Sequence, residues 1–512
     1  MSAASARTKI KTLAELTTLT ASLRAAGKTV AHCHGVFDLV HPGHIRHFEA
    51  ASRLGDVLVV TVTRDEFVNK GPGRPVFPEQ LRAESIAALG CVDYVAVNEW
   101  PTAVETIEHL KPSVYVKGND YAHAADDVTG GIAKEEAAVR AVGGRLAFTD
   151  DITFSSSELL NTHFEVYPEE AQAFLKDFRS RYSAEQVIAR LESLKDLKVL
   201  VIGETIIDEY HYVKAVGKSP KETMVTTKFL REEAFAGGIL ACANHVASFS
   251  DHVHVVTCLG DDDTREPFIR THLKPNVTTK FFHRQGSGTI VKRRFIEPDL
   301  ALAKMFEVSF FDDTPLAPAT EQAVCDYLRG VLDDYDAVIV IDYGHGFMGP
   351  DIVKTLADAR TFLAVNAQAN SANFGFNLIT KYPRADYVCI DEPEMRLAMH
   401  DRFGDLRRLI TTVAGDLSAD RVTVTRGHRG ATAYGRHESF VDVPVFSRKV
   451  VDRVGAGDAY LSVTAPCVAR GLPTELVAFI GNAAGALAVA IVGNKSPVER
   501  VPLFKFITAL LK

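Results

Sequence analysis

The sequence has few of the features that mark secreted, membrane or nucleic-acid-binding proteins. Its seven cysteines are scattered and include no C-x-x-C pair, which is typical of reduced thiols rather than of a disulfide framework or a zinc site. It has no long apolar run and no basic-then-apolar leader, so neither a transmembrane helix nor a secretory signal is expected. A net charge of −8 gives no general attraction to nucleic acid. These absences predict a cytoplasmic protein without membrane or nucleic-acid partners.

The length of 512 residues exceeds what one hydrophobic core supports, so two or three domains are expected. Short apolar, β-branched runs alternate with helical patterns, which is the signature of parallel α/β sheets. The first series of runs is TVAHCHG, DVLVVTVT, VDYVAV, SVYVKG and RLAFTD. The second series is KVLVIGE, HVHVVTCLG, DAVIVIDYG, TFLAVNA, DYVCIDE and RVTVTRG.

A polar, helix-prone stretch separates the two series of strands. We therefore predict an N-terminal domain over 1–165, a helical linker over 166–196 and a C-terminal domain over 197–512. The predicted fold class is α/β, with two doubly wound parallel-sheet domains, the first of them Rossmann-like. In the second domain, TMVTTKF and TIVKRRF alternate apolar and polar residues, which predicts a small β lid.

The stretch HGVFDLVHPGHIRHFE, residues 34–49, joins the first predicted strand to a helix that starts near Pro42. Backbone N–H groups and the positive end of the helix dipole favour a phosphate there, and Gly43 allows close approach. The imidazoles of His41 and His44 could donate hydrogen bonds to it. A metal site is less favoured, because no cysteine pair is near. An ordinary surface loop is the third interpretation that the spacing leaves open.

HGVFDLVHPGH resembles the H-x-G-H signature of the cytidylyltransferase-like nucleotidyltransferase superfamily. KGPGRPVFPEQLRAESIAALGCVDYV, VYVKGNDY and TFSSSELL follow in family order and resemble the nucleotidyltransferase domain of bifunctional ADP-heptose synthases. The resemblance implies in-line attack by a substrate phosphate on the α-phosphorus, with pyrophosphate leaving and Mg²⁺ shielding charge.

The same resemblance implies roles for individual residues. His41 and His44 would contact the triphosphate, while Lys70, Arg82 and Lys117 would neutralise phosphates; solvated surface charge is the alternative for Lys70 and Arg82. The other implied nucleotide contacts are Gly35, Phe37, Asp38, Ser155 and Ser156. His32, His34 and His47 are expected to be structural or exposed.

In the second domain, VVDRVGAGDAYLSVTAP places Gly455, Ala456 and Gly457 before a helix that opens beside Asp458. Small residues leave backbone N–H groups bare, which forms an anion hole at a helix N-terminus. An aspartate there can take a proton from an attacking hydroxyl. The segment resembles the D-T-x-G-A-G-D signature of ribokinase-like (PfkB-type) sugar kinases.

Other segments resemble this kinase family in the same order: GETIIDEY, FAGGILACANHVASF, DYGHG, IDEPEM and TRGHRG. The resemblance implies that Asp208, Gly237 and Gly238 bind the sugar. Glu394 would help to hold Mg²⁺. The residues that would lie on the nucleotide side are Thr425, Arg426, Gly427 and Asn482.

Four positions depart from the family pattern: Glu204, Ala241, Asp391 and Arg453. They gather in the substrate pocket and leave the sugar undetermined. The amide-rich stretch NAQANSANFGFNLITKY, residues 366–382, suits either a polyhydroxylated ligand or a polar loop with Asn turns.

The resemblances predict a bifunctional sugar-phosphate nucleotidyltransferase and sugar kinase that makes an activated sugar, a heptose or a related one. The domain order would be the reverse of that in ADP-heptose synthases. Mg²⁺ and ATP, or CTP in the first domain, would be used. One alternative is a cytidylyltransferase for an alditol or sugar phosphate whose kinase supplies the substrate; another makes the second domain a ligand sensor. If the lid strands of two subunits pair, as they often do in ribokinase-like enzymes, the protein would be a homodimer.

Overall fold

The structure is a computed structural model and describes residues 6–118, 131–149, 167–219, 221–300, 302–447 and 450–512. The chain divides into two compact units. The first comprises residues 1–166 together with 504–512, and the second comprises residues 167–503. None of the helices described is long and apolar enough to cross a membrane.

The first unit contains a five-stranded parallel sheet with the order β3-β2-β1-β4-β5. The strands are β1 (Val30–Gly35), β2 (Val57–Val62), β3 (Tyr94–Val97), β4 (Val114–Gly118) and β5 (Arg145–Thr149). The helices between them are α1 (Leu13–Ala25), α2 (Pro42–Ser52), α3 (Glu79–Ala87), α4 (Val104–Leu110) and α5 (Gly131–Ala141). All five strands fall on the predicted runs. Because β1 lies between β2 and β4, the order of the strands reverses beside it, which is where open α/β sheets bind ligands.

The predicted linker instead forms two helices of the second unit, α6 (Glu169–Arg179) and α7 (Ala184–Glu192). Both are amphipathic, and Phe178 of α6 stacks on Phe479 with the ring centroids 4.3 Å apart. This apolar contact anchors the helices of the predicted helical linker within the second unit.

The second unit is built on a nine-stranded sheet with the order β10-β9-β6-β13-β14-β15-β16-β17-β18. The pairs from β10 to β16 are parallel, and β17 and β18 add antiparallel at one edge. The strands are β6 (Lys198–Gly203), β9 (His252–Gly260), β10 (Val277–Arg284), β13 (Ala337–Asp342), β14 (Phe362–Ala367), β15 (Tyr387–Asp391), β16 (Arg421–Thr425), β17 (Ala431–Gly435) and β18 (Val441–Val443).

The helices of the second unit follow the strands closely. They are α8 (Ile239–Ala247), α9 (Glu266–His272), α10 (Pro318–Val331), α11 (Pro350–Asp358), α12 (Glu392–Ala398), α13 (Leu406–Asp416), α14 (Ala456–Ala469) and α15 (Thr474–Ala488). A last helix, α16 (Arg500–Leu511), ends the chain, and its residues from 504 onward belong to the first unit.

A separate four-stranded sheet, with the order β12-β11-β7-β8, forms the predicted lid. Its strands are β7 (Thr205–Lys218), β8 (Val225–Gly238), β11 (Ile290–Glu297) and β12 (Ala303–Phe310). β8 and β11 correspond to the two predicted segments, while β7 and β12 add to them. Because β7 begins directly after β6, the lid leaves the main sheet at the carboxyl end of a central strand.

Candidate active sites

The HPGH segment of the first unit lies between β1 and α2. His41 is the N-cap of α2, and its Nδ1 accepts a hydrogen bond of 3.2 Å from the N–H of Gly43. The rings of His41 and His44 lie 4.0 Å apart, centroid to centroid. Phe37 adopts a positive φ of 49° and presents its ring to His44 at 5.2 Å. A Cβ at Gly35 would lie 2.9 Å from that ring, so a larger residue there would push the Phe37 ring aside.

Both histidines of this segment are held neutral. Burial lowers the pKa of His44 to about 3, helped by the charges of His41, Lys70 and His47. Burial also lowers the pKa of His41. Neutral rings can each still donate one hydrogen bond, but the positive charge that phosphates require must come from other groups.

Lys70 is the lysine whose positive charge helps to lower the pKa of His44. Burial lowers its pKa to about 8, Asp38 opposes that shift, and Arg74, Lys512 and Lys505 reinforce it. Asp38 shapes this loop by accepting hydrogen bonds from the N–H groups of Val76 at 2.7 Å and Phe77 at 3.1 Å. Asp38 also pairs with buried Arg74 at 3.2 Å.

Arg82 is a structural residue, contrary to the predicted phosphate contact. Its side chain is fully buried, and its guanidinium donates to the carbonyls of Phe77, Val36 and Thr63. It also pairs with Asp65. With these partners the guanidinium ties α3 to the ends of β1 and β2, so a phosphate-binding role is withdrawn for it.

Lys117 is the penultimate residue of β4, at the carboxyl end of that strand. The parallel strand β1 ends on the same side of the sheet. Its ammonium pairs with Glu135 at 2.9 Å, and its charge helps to lower the pKa of buried His32 to about 3, an effect dominated by burial. The expectation of structural histidines agrees with their contacts: His32 and His34 both contact Thr61, and His47 contacts Thr149. Ser155 and Ser156 lie outside the described residues.

In the second unit, Gly455 is the N-cap of α14 with a φ of +81°, and Ala456, Gly457 and Asp458 fill the first turn. Burial raises the pKa of Asp458 to about 6, while Tyr343 and Gln368 oppose that shift. The amide of Gln368 donates to Asp458 at 2.8 Å. Below this pKa the carboxyl is protonated, and at neutral pH it can accept a proton.

Asp458 opens into a pocket of about 350 Å³, which we call the transfer pocket. The predicted site residues that line it are Asp208, Gly238, Glu394, Thr425, Gly455, Gly457 and Asp458. Asp208 pairs with Arg294 and accepts a hydrogen bond of 3.0 Å from the amide of Asn494. A side chain at Gly237 would overlap the Asp208 carboxylate, which explains a glycine at that position.

Two carboxylates face each other at the start of α12. Asp391 accepts from the N–H of Glu394 at 2.7 Å, and Glu394 accepts from the N–H groups of Asp391 at 2.8 Å and Ala369 at 3.1 Å. Burial and the charge of Asp391 raise the pKa of Glu394 to about 8, and burial raises the pKa of Asp391. Such crowded carboxylates favour a nearby cation.

The described residues contain no cluster of three or more His, Cys, Asp or Glu side chains that could hold a metal by themselves. Mg²⁺ is commonly bound by one or two carboxylates together with the substrate phosphates. Glu394 and Asp391 are the residues that would hold it.

The predicted nucleotide-side residues do not all reach the transfer pocket. Thr425 lines it, and Gly427 adopts a φ of +56° in the turn that follows. Asn482 is buried in α15 and donates to the carbonyls of Val443 and Ala478, both at 3.3 Å. Because Asn482 is not among the lining residues and its amide N–H₂ group is engaged, its nucleotide-binding role is not supported.

Two family models match regions of the chain. The pfkB family carbohydrate kinase model matches residues 196–500, and the Cytidylyltransferase-like model matches residues 32–233. The chain belongs to the pfkB family of carbohydrate kinases. The Cytidylyltransferase-like match begins N-terminal to the pfkB match and overlaps its beginning.

Curated relatives carry the name Bifunctional protein HldE. The one from Trichlorobacter lovleyi is 38% identical over 306 residues, which is 59% of this chain and 61% of that protein. The one from Koribacter versatilis is 38% identical over 319 residues, 61% of this chain and 64% of that protein. The one from Syntrophotalea carbinolica is 42% identical over 129 residues, 25% of each chain. The matched region spans less than two thirds of each of these relatives.

Solved structures also resemble the pfkB-family half. Ribokinase from Thermotoga maritima has a TM-score of 0.47 at 20% identity, covering 60% of this chain and 99% of that one. Phosphofructokinase-2 from Escherichia coli has a TM-score of 0.49 at 16% identity, covering 62% of this chain and 100% of that one.

Two of the four residues that depart from the kinase-family pattern have structural roles. Glu204 is buried and accepts from the N–H groups of Tyr343 at 2.9 Å and His345 at 3.0 Å, which fixes the DYGHG turn. Asp391 completes the capping box of α12. These carboxylates replace the family residues while keeping the turns in place.

The amide-rich stretch serves mainly to hold loops. The amides of Asn370 and Asn373 both donate to the carbonyl of Tyr343 at 2.7 Å, and that of Asn377 donates to the carbonyl of Asp342 at 3.1 Å. Of the two interpretations, these contacts favour the polar loop. Gln368 is the exception, since it contacts Asp458.

Several residues that line the transfer pocket were not singled out in the sequence analysis, among them Gln368, Lys292 and Asn494. Gln368 directly follows β14, and its place at a strand end was the available signal. Lys292 lies within the predicted lid strand, where alternation alone cannot single it out. Asn494 lies in a loop near the end of the unit, and no motif marks it.

Proposed function

We propose that the chain is a bifunctional enzyme that joins a sugar-phosphate nucleotidyltransferase to an ATP-dependent sugar kinase. The observation that carries the proposal is the transfer pocket, in which Asp458, at the N-terminus of α14, faces the same cavity as Asp208. A base beside an anion hole, and a second carboxylate for sugar hydroxyls, are what phosphoryl transfer to an alcohol requires.

In the kinase reaction, Asp458 takes the proton of the attacking hydroxyl, and the N–H groups of Gly455, Ala456 and Gly457 stabilise charge on the γ-phosphoryl group. Lys292 also lines the transfer pocket and can add positive charge beside the γ-phosphoryl group. Its ammonium has neither a hydrogen bond nor an ion pair within the described residues. Burial lowers its pKa, which a bound phosphate would reverse. Mg²⁺ bound with ATP would neutralise the phosphates beside Glu394.

In the nucleotidyltransferase reaction, His41 and His44 donate hydrogen bonds to the triphosphate, and Lys70 and Lys117 supply positive charge. Gly35 and Phe37 line the cleft. Ser155 and Ser156 keep their proposed role as triphosphate ligands on the strength of the sequence resemblance alone. The base of the triphosphate is adenine or cytosine.

The acceptor is a heptose or a related sugar, and the domain order is the reverse of that in ADP-heptose synthases. The resemblance of TFSSSELL and KGPGRPVFPEQLRAESIAALGCVDYV to those enzymes supports the heptose, as do relatives named Bifunctional protein HldE. We place the enzyme in the cytoplasm, in agreement with seven free cysteines.

The lid sheet supports a homodimer. Phe229, Phe306, Val308 and Phe310 on β8 and β12 expose between 39 and 54% of their surface, and β8 and β12 are the edge strands of that sheet. A second copy of the lid would cover these apolar residues.

Mass-resolved product analysis tests the proposal. The purified chain is incubated with Mg²⁺, ATP or CTP and a panel of heptose, hexose and pentitol phosphates, beside His44→Ala and Asp458→Asn. We expect Asp458→Asn to lose the phosphorylated sugar and His44→Ala to lose pyrophosphate release, each without loss of the other activity.

Three results contradict parts of the proposal. Turnover of the sugar by Asp458→Asn removes Asp458 as the base, and unchanged pyrophosphate release by His44→Ala removes His44 from the chemistry. A nucleotide sugar without any phosphorylated sugar from the panel would leave the second unit as a sensor, or as a kinase for another substrate.

A further inference from the structure

Residues 504–512, with the sequence FKFITALLK, include the greater part of α16 and belong to the first unit. The first unit is therefore built from two separate stretches of the sequence, and the pfkB-family region lies between them. The segment carries two lysines and no acidic residue. The apolar side chains that hold it in place are at most 1% exposed, and they are Phe504, Phe506, Ile507 and Leu510.

Phe506 packs on the loop that carries Lys70. A Cβ at Gly71 would overlap the Phe506 ring, so the ring lies directly against the backbone of Gly71. Gly71 has a φ of +92°, a conformation that favours glycine. Because Lys70 directly precedes Gly71, the ring of Phe506 supports the backbone from which the Lys70 side chain extends.

Lys505 and Lys512 lie on one face of the same segment. They are seven residues apart, which is close to two full turns of an α-helix, so their side chains leave the helix in similar directions. The N–H of Lys512 donates to the carbonyl of Thr508 at 3.2 Å, which keeps Lys512 in helical register. The charges of both lysines act on Lys70, so all three ammonium groups gather in one region.

Positive charge is concentrated around Lys70. Arg74, Lys505 and Lys512 each help to lower its pKa. Asp38 opposes them, but its carboxylate also pairs with Arg74 at 3.2 Å and accepts two N–H groups of the loop. Like charges that gather in this way repel one another, and an anion bound among them relieves the repulsion.

This region adjoins the HPGH segment. The charge of Lys70 also helps to lower the pKa of His44, the residue that donates to the triphosphate in the proposed reaction. A triphosphate in contact with His44 therefore brings its phosphates next to the lysines. A chain of phosphates, with several negative charges, matches several ammonium groups better than the single phosphate of a sugar phosphate does.

We propose that residues 504–512 complete the nucleotidyltransferase site. Lys505 and Lys512 join Lys70 in binding the phosphates of the nucleoside triphosphate, and Phe506 is a positioning residue for the loop that carries Lys70. This inference rests on the proposed nucleotidyltransferase function. It adds to that site a segment from outside the N-terminal domain that the sequence predicts over 1–165.

Competitive acetylation with trace acetic anhydride, read by peptide mass spectrometry, tests the proposal on the full chain. Only the unprotonated amine reacts, so reactivity measured between pH 7 and 10 titrates Lys70, with a midpoint expected near pH 8. Mg²⁺ with ATP or CTP is then added in increasing concentration. We expect the nucleotide to protect Lys70, Lys505 and Lys512 with one common dissociation constant. Lys28, exposed just before the amino end of β1, should stay reactive.

The double variant Lys505→Gln with Lys512→Gln removes both added charges. We expect the nucleotide dissociation constant measured at Lys70 to rise about five- to twentyfold, since each exposed charge pair contributes up to about fivefold. The pKa of Lys70 should rise as well, because two repelling charges are gone. Lys28→Gln is the matched control and should change neither value.

Two substitutions of Phe506 test its positioning role. Phe506→Ala removes the ring from Gly71 and should weaken nucleotide protection of Lys70, while sugar phosphorylation stays unchanged. Phe506→Leu keeps an apolar side chain against the loop and should restore most of the affinity. Trp100 fluorescence during unfolding shows whether each variant is folded.

Three results overturn the inference. They are the absence of nucleotide protection at Lys505 and Lys512, an unchanged nucleotide dissociation constant in the double variant, and weakened binding of the sugar phosphate alone. Failure of the nucleotidyltransferase proposal gives a different result, since the nucleotide would then protect all three lysines while no sugar phosphate of the panel yields pyrophosphate.

Discussion

Replacing Glu394 by glutamine should stabilise the second unit at alkaline pH. Burial and Asp391 raise the pKa of Glu394 from 4.5 to about 8. Since one pKa unit corresponds to about 1.4 kcal/mol, ionising this carboxyl in the folded state costs up to about 4–5 kcal/mol. Glutamine keeps the shape but loses one of the two accepted N–H bonds, at a cost of about 1 kcal/mol. The net gain above pH 8 is therefore a few kcal/mol.

The sign of the pH dependence follows from proton binding. Between pH 4.5 and about 8 the folded state binds a proton at Glu394 that the unfolded state has released. The free energy of unfolding therefore falls as the pH rises through this window and is level on either side. Glu394→Gln should flatten that slope, and Mg²⁺ with ATP should flatten it in the native chain by favouring the carboxylate.

Scanning calorimetry between pH 5 and 9 measures this effect. The single tryptophan, Trp100, lies in the first unit, so its fluorescence identifies the transition of that unit and leaves the other to the second. Glu392→Gln is the matched control. Hydrogen bonds from Arg396 and Arg426 outweigh burial and lower the pKa of Glu392, so its removal should destabilise the unit at neutral pH.

Kinase activity should fall in Glu394→Gln even as stability rises, by about ten- to a hundredfold if the carboxylate supports the metal. A Glu394→Gln chain that is less stable than the native chain at every pH from 5 to 9 would refute the reasoning, because the raised pKa would then have no energetic consequence.

Three further results are expected. Arg82→Ala should lower the unfolding free energy of the first unit by about 3–5 kcal/mol, because it leaves buried carbonyls and Asp65 without their partner. Trp100 fluorescence measures this change. A stable variant that only weakens nucleotide binding would restore the phosphate role. Gly71→Ala should reduce pyrophosphate release and spare sugar phosphorylation. Gly71, next to Lys70, has a φ of +92°, and a side chain there would overlap Phe506. Equal loss of both activities would indicate general unfolding. The kinase kcat/KM should fall below about pH 6 as Asp458 is protonated, and a profile flat down to pH 5 would exclude it as the base.

Much of the fold could be predicted because the central strands are buried on both faces. Runs such as VLVVTV and AVIVID are mostly apolar and buried throughout, which is typical of central strands of a parallel sheet. β7, β10, β12, β17 and β18 escaped prediction. All of them except β7 lie at or near sheet edges where exposed and buried residues mix, and β7 changes from buried to exposed along its length. The place of the predicted helical linker within the second unit was harder to foresee, because α6 and α7 look polar in composition and only their apolar faces are buried.

The sites divide along a similar line. Motifs that place glycine and an acid or histidine at a helix start could be predicted, because the backbone there determines the chemistry. Arg82 could not be assigned correctly, since a buried arginine with three carbonyl partners has the same local sequence as an exposed one. Gln368 and Asn494 could not be found either, because they reach Asp458 and Asp208 only through tertiary structure.

The departures from the kinase pattern argue for altered specificity rather than lost catalysis. Glu204 and Asp391 are engaged with backbone N–H groups, so they preserve the turns that hold the transfer pocket. Arg453 lines that pocket beside the anion hole, where a positive charge favours phosphate. Ala241 lies on the first turn of α8, where the resemblance implies a polar residue in other kinases. A sensor that had lost catalysis would have no need to keep Asp458 buried at a helix N-terminus with a raised pKa, whereas a kinase needs such a base.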